Sequence, residues 1–195
     1  MEIELLERQS SELRKDIVEV CYHSKAGHVG GSLSAIDILN VLYFNELRID
    51  PNNPKMENRD RFILSKGHIA EALYVTLAKR GFFAYRELDN FSGNNTNYIA
   101  QPNNKVAGVE MNTGALGHGL AIGVGLAIAA KKMGQDYRTY VLMGDGELAE
   151  GSIWESAMAA GHYKLDNLCA IVDRNHLQIS GCTETVMTLE DLKGK

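Results

Sequence analysis

Two five-residue runs in this chain end alike. Thr139-Tyr140-Val141-Leu142-Met143 leads into Gly144-Asp145-Gly146-Glu147, and Leu168-Cys169-Ala170-Ile171-Val172 leads into Asp173-Arg174-Asn175-His176-Leu177. Short apolar runs bounded by turn residues, with a helix-length segment between them, read as strands of a parallel sheet. In an open α/β sheet, ligands collect outside the carboxyl ends of the strands, so both turns fall where a site belongs. A carboxylate (Asp145) and a side-chain amide (Asn175), backed by a backbone carbonyl, make a hard-oxygen donor set. Such a set suits Mg²⁺ or Ca²⁺ holding a phosphate, and not zinc. Gly146 lets the backbone approach an anion closely and can offer its N–H as part of an anion-binding nest.

The rest of the chain supplies the helices such a sheet requires. Leu5, Leu6, Leu13, Ile17, Val20 and Cys21 recur near helical period over residues 2 to 24. Gly27 to Gly31 should break that helix, and Ser34 with Asp37 resembles a capping box opening the next one through Tyr43. Asp50-Pro51-Asn52-Asn53-Pro54 is a loop by its turn chemistry. Arg61 to Leu64 reads as a short strand, Ser65-Lys66-Gly67-His68 as the following turn, and Ile69 to Arg80 as a helix stopped by Gly81. Residues 89 to 108 form a long polar loop of a length usually reserved for function. Gly114-Ala115-Leu116-Gly117-His118-Gly119 then enters an Ala- and Gly-rich helix that ends near Met133, and a further helix spans 152 to 164. The expected fold class is α/β, with a mostly parallel sheet and helices on both faces.

Composition excludes several function classes. The 195 residues are 45% hydrophobic with three prolines, enough for one domain with a core. A formal charge of −5 argues against nucleic acid or a membrane surface as partner. No apolar run reaches the ~18 residues of a membrane span, and the charged, helix-like N-terminus is no secretory signal. Cys21, Cys169 and Cys182 have no metal-ligand spacing and fit a reducing compartment, with Cys21 and Cys169 expected to be inert packing residues. These features imply a cytoplasmic protein. Neither G-x-x-x-x-G-K-[ST] nor a strand-following G-x-G-x-x-G is present, so nucleotide hydrolysis and dinucleotide binding lose their warrant.

The histidines are open on sequence alone. His28 stands in a glycine-flanked loop, and His68 follows a strand and opens a helix, where an imidazole can donate to a phosphate or substrate oxygen. Each reads equally as functional or structural by itself. His118 lies at another helix entrance, and His162 and His176 read as surface or interface residues. Gly119, Gly123, Ala127 and Ala130 put small residues about one turn apart, for close approach either to a partner or within a tight core. Trp154 reads as a core or interface anchor.

Taken in order, these blocks resemble transketolase, in the N-terminal half that carries the diphosphate-binding domain. The resemblance runs through Gly27-His28, Gly30-Gly31-Ser32-Leu33-Ser34, Asp60 to His68, Gly108-Val109-Glu110, Thr113 to Gly119, Gly144 to Glu147, Glu150-Gly151, Trp154-Glu155, Ala157 and Asp173-Arg174-Asn175. It implies thiamine diphosphate as cofactor, held with Mg²⁺ (or Ca²⁺), and transfer of a two-carbon ketol unit from a ketose or ketose phosphate to an aldose. By that resemblance Asp145 and Asn175 ligate the metal through side chains and Leu177 through its carbonyl. Gly146, with His68, contacts the diphosphate, Gly114 and Leu116 line the cofactor and its aminopyrimidine, and Glu147 and Asn175 complete the cofactor-binding set. His28 and His68 face substrate oxygens.

Three departures qualify the resemblance. Ala100-Gln101-Pro102 stands where the family has Gly-His-Pro, so a substrate-facing histidine becomes Gln101, which can hydrogen-bond a hydroxyl but cannot shuttle a proton. Val29 replaces a common proline. Lys195 comes before the rest of this half-enzyme is expected, so 1–195 reads as a diphosphate-binding domain shortened at its C-terminal end. The start at Met1, directly in the first helix, fits the N-terminal subunit of a split enzyme. A C-terminal partner subunit would then supply the pyrimidine-binding domain, in an α2β2 assembly acting on small sugars or sugar phosphates. Alternative readings are one chain of a 1-deoxyxylulose-phosphate synthase or of a 2-oxoacid dehydrogenase E1, and a non-catalytic docking fragment.

Overall fold

A computed structural model describes residues 2–179 and 181–195. Its centre is a three-stranded sheet, β1 (Arg61–Leu64), β2 (Thr139–Gly144) and β3 (Leu168–Asp173), in the order β1-β2-β3 and wholly parallel. The register sets Leu64 beside Leu142 and Gly144 beside Asp173, so the strands deliver their carboxyl ends to one edge of the sheet.

Side-chain alternation along the strands divides the core in two. Phe62, Leu64, Tyr140 and Leu142 face a cluster built by α1 (Ile3–Ser24), α2 (Val29–Val41) and α3 (Ala70–Arg80). Ile63, Val141 and Met143 face Leu120 of α4 (Gly119–Met133) and Ile153 of α5 (Gly151–His162). Helices therefore cover both faces, and the α/β expectation holds. β3 pairs with β2 alone among the described strands, and Cys169 and Ala170 on it are exposed. Cys169 thus departs from the packing role expected of it. Cys21 keeps that role: it is buried, and burial with Glu71 nearby pushes its thiol up to about 11.

α1 arises from its apolar stripe, which buries Leu13, Ile17, Val20 and Cys21 and stops at Lys25 in the left-handed conformation. The expected break at Gly27 to Gly31 is shorter than predicted. α2 begins at Val29 and includes Gly30 and Gly31, so Ser34 is not its cap. Gly31 is needed for proximity: a Cβ there would stand 3.0 Å from Ile69 Cγ2. On α4 the small residues serve the core. A Cβ on Gly123 would collide with Val141, and one on Gly119 with Ser65, so the helix lies directly on the sheet. Among the described residues no helix is long and apolar enough to cross a membrane.

After β3 the chain forms a small antiparallel hairpin, β4 (Leu177–Gln178) with β5 (Gly181–Cys182), followed by one helical turn, α6 (Thr183–Val186). Residues 91–118 run without regular structure, as their Asn and Gly content predicts.

Candidate active site

The site is the set of turns that leave the three strands. The turn after β1 is Ser65 to His68, which tightens into a short helical turn before α3. The turn after β2 is Asp145 to Glu147, and the turn after β3 is Arg174 to His176. Charged side chains with little exposure tie them together. Lys66 Nζ lies 2.6 Å from Asp173 Oδ2, and Ser34 Oγ donates to Asp173 Oδ1 at 2.8 Å. Glu147 Oε1 accepts from Ser65 Oγ and from Gly117 N (2.8 Å), and Glu147 Oε2 accepts from Gly144 N (3.1 Å). Thr113 Oγ1 donates to Leu64 O at 2.6 Å, which brings the 113–119 loop over the same edge.

Asp145 is the most enclosed of the predicted metal ligands, at 1% exposure. Its Oδ1 accepts from Gly146 N at 2.9 Å. Its Oδ2 accepts from His176 N at 2.7 Å and from Arg174 at 2.9 Å. Asn175 Oδ1 accepts from Leu177 N at 2.9 Å. Each carboxylate or amide oxygen has a second lone pair, so Asp145 Oδ1 and Asn175 Oδ1 each keep acceptor capacity. A carboxylate, an amide oxygen and the adjacent backbone of Leu177, gathered by the His176 bond to Asp145, fit a hard divalent cation. Gly146 is closely covered, since a Cβ there would stand 2.9 Å from Gln178 Cγ.

His28 and His68 come together, with ring centroids 5.3 Å apart and planes at 69°. His68 is half-buried. Burial, then the Lys66 ammonium, then His28 hold its imidazole down at about 4, against a small opposing pull from Asp173. It is therefore neutral near pH 7, able to donate one hydrogen bond and accept another. Gln101 is brought to the same place. Its backbone carbonyl accepts from Tyr74 Oη at 2.8 Å, and its Oε1 is buried without a hydrogen-bond partner among the described residues. That oxygen would lie 2.7 Å from a Cβ on Gly67 and 2.6 Å from one on Gly114, so both glycines make room for it. Leu116 is partly buried two residues after Gly114, and its carbonyl lies 3.1 Å from His118 Nδ1.

Glu147, expected at the cofactor, is 2% exposed, and both of its oxygens accept from the chain's own donors. It braces the turns around the site. His162 and His176 are exposed, as expected, and Trp154 Nε1 donates to Leu148 O at 2.8 Å, an anchor within the chain. Two participants escaped the sequence reading, Lys66 and Glu71. Neither charge carries a local sign of a partner dozens of residues away.

The parallel sheet with helices on both faces, with oxygen donors and glycine loops at its carboxyl edge, defines an open α/β domain. Comparison with known proteins specifies which one. The family described as the thiamine diphosphate-binding domain of transketolase matches residues 7–195, and the chain belongs to that family. It is 54% identical over its full length to an apulose-4-phosphate transketolase subunit of Phocaeicola vulgatus, and covers 69% of that protein. It is 41% identical over 191 residues to a 6-deoxy-6-sulfo-D-fructose transketolase subunit of a Clostridium species, covering 97% of this chain and 70% of that one. The crystal structure of Campylobacter jejuni transketolase superposes with a TM-score of 0.93 at 35% identity, over 100% of this chain and 32% of the other. The chain thus spans about a third of the length of that protein.

Proposed function

We propose that this chain is the N-terminal subunit of a two-chain, thiamine diphosphate-dependent transketolase, with residues 1–195 forming its diphosphate-binding domain. It transfers a two-carbon ketol unit from a ketose or ketose phosphate to an aldose, in the cytoplasm. Activity requires a C-terminal partner subunit that carries the pyrimidine-binding domain, in an α2β2 assembly. The observation that carries this reading is the convergence of Asp145, Gly146 and Asn175 at adjacent strand ends beside the paired imidazoles of His28 and His68. The names of its relatives, which call them transketolase subunits, support the two-chain arrangement. Those names also specify sugars bearing a phosphate or a sulfo group, and an anionic ketose is the donor class we infer.

In this reading Asp145 and Asn175 hold Mg²⁺ (or Ca²⁺) through their side chains and Leu177 through its carbonyl. Gly146 and His68 receive the diphosphate, and Gly114 and Leu116 flank the rest of the cofactor. When bound, thiamine diphosphate supplies the carbon nucleophile that a polypeptide lacks. The chain's own residues then orient and polarise. Neutral His68 donates to a phosphate or substrate oxygen, His28 covers the neighbouring hydroxyl, and Gln101 hydrogen-bonds the sugar without exchanging a proton.

The test is reconstitution. The purified chain with ketose, aldose, thiamine diphosphate and Mg²⁺ should show no ketol transfer, and addition of its partner subunit should restore it. Asp145→Ala should abolish metal-dependent cofactor binding by the assembled pair. Turnover by the chain alone, or cofactor binding indifferent to Asp145→Ala, would contradict the proposal.

A further inference from the structure

Glu71 stands in the first turn of α3, a helix whose residues from Ala70 to Ala78 are all buried, and it is itself 0% exposed. A carboxylate without access to water costs several kcal/mol unless the protein solvates it. Here Oε1 accepts from His28 N at 2.6 Å and from Ser32 Oγ at 2.7 Å, while Oε2 has no hydrogen-bond partner among the described residues. Both donors belong to the start of α2, where free N–H groups and the helix dipole favour an anion. The loop that reaches α2 passes close by: at Gly27, whose φ is +117°, a Cβ would stand 3.1 Å from Glu71 Oε1. An apolar residue at 71 would complete the helix core but leave the His28 N–H without its acceptor.

Three residues before Glu71 is His68, and its imidazole is the one that meets His28 at 5.3 Å. One side chain therefore spans the two backbone segments that present the imidazole pair. We infer that Glu71 is a positioning residue, whose buried carboxylate fixes His28 against His68 by holding the start of α2 to the start of α3. The inference rests on the reading that the two imidazoles face the substrate. It adds a residue that touches neither substrate nor cofactor.

The groups facing His68 are Lys66, His28 and Asp173, so its titration reports how closely His28 and the 27–32 segment cover it. Glu71→Met, Glu71→Asp and Glu71→Gln in the full chain separate positioning from plain stability. Gln keeps an oxygen that both donors can reach, Asp withdraws the carboxylate by one methylene, and Met removes it. By NMR, the His68 titration should move from about 4 toward the ordinary histidine value in the Met and Asp variants, and the close contacts between the two rings should weaken. The Gln variant should retain both. In the enzyme assembled with its partner, kcat/KM should fall on the order of tenfold or more for Met and Asp, with Gln restoring it and thiamine diphosphate affinity unchanged. A folded Asp or Met variant that is less stable yet keeps the His68 titration and the ring contacts would overturn the inference. His28→Ala tests the underlying reading separately: full ketol transfer by that variant would remove the imidazole pair from the reaction, whatever Glu71 does to its geometry.

Discussion

Lys66 and Asp173 form a buried ion pair, 2.6 Å from Nζ to Oδ2, that joins the end of β1 to the end of β3 across the strand between them. Lys66 is 1% exposed, and Asp173 also accepts from Ser34 of α2. The pair acts as a crossbar beneath the candidate site. Removing one member of such a pair leaves a desolvated charge and costs roughly 3–5 kcal/mol, whereas replacing both by apolar residues is often close to neutral. Lys66→Met should therefore lower the urea midpoint sharply, and the Lys66→Met/Asp173→Leu double variant should recover part of that loss. A single variant with the wild-type midpoint would show that the pair contributes nothing.

His68 links the site to pH. Its folded-state value of about 4 lies below the ordinary 6.5 because burial and the Lys66 ammonium oppose a second positive charge. Between those values the unfolded chain binds more protons than the folded one, so stability falls as pH drops from about 6.5 toward about 4. His68→Gln should flatten that part of the stability profile relative to wild type. An anion bound beside the imidazole favours the charged form, so thiamine diphosphate with Mg²⁺ should raise the His68 titration. Identical acid-limb slopes for wild type and His68→Gln would show that this imidazole is not held down.

Glu147 accepts three hydrogen bonds, from the turn after β1, from the 113–119 loop and from the last residue of β2, and is buried. Glu147→Gln keeps the shape but turns an N–H₂ toward a donor. Loss of hydrogen bonds to a charged acceptor costs about 1.5–3 kcal/mol. Thermal unfolding should show a loss of that order. Cofactor affinity should fall with it, because Gly117 and Gly144 flank the loops predicted to hold the cofactor. A variant as stable as wild type would mean that the three bonds contribute no net free energy.

The elements of this fold are legible in the sequence wherever periodicity is local. The apolar stripe of α1, the runs of β2 and β3 and the glycine stops at Gly81 and Gly134 all appear in the structure within a residue or two. Asp145 and Asn175 are legible as a pair because strand ends in a parallel sheet share one edge. What escapes depends on partners far along the chain. Gly30 and Gly31 read as helix breakers, yet both lie within α2, and the N–H of His28 just before it donates to Glu71, 43 residues beyond. The hydrogen bonds of Glu147 leave no mark in the sequence, because Ser65 and Gly117 lie far from it along the chain. Cys169 reads as buried because an apolar run carries no mark of whether its strand has one neighbour or two.

Whether this chain works as one half of a cofactor-dependent enzyme is tested most directly by native mass spectrometry of the protein, purified gently from its own source. The expected result is a complex of this chain with a second, different chain, two copies of each, carrying thiamine diphosphate and a divalent ion. A cofactor-free species, whether alone or with a partner, would contradict that reading.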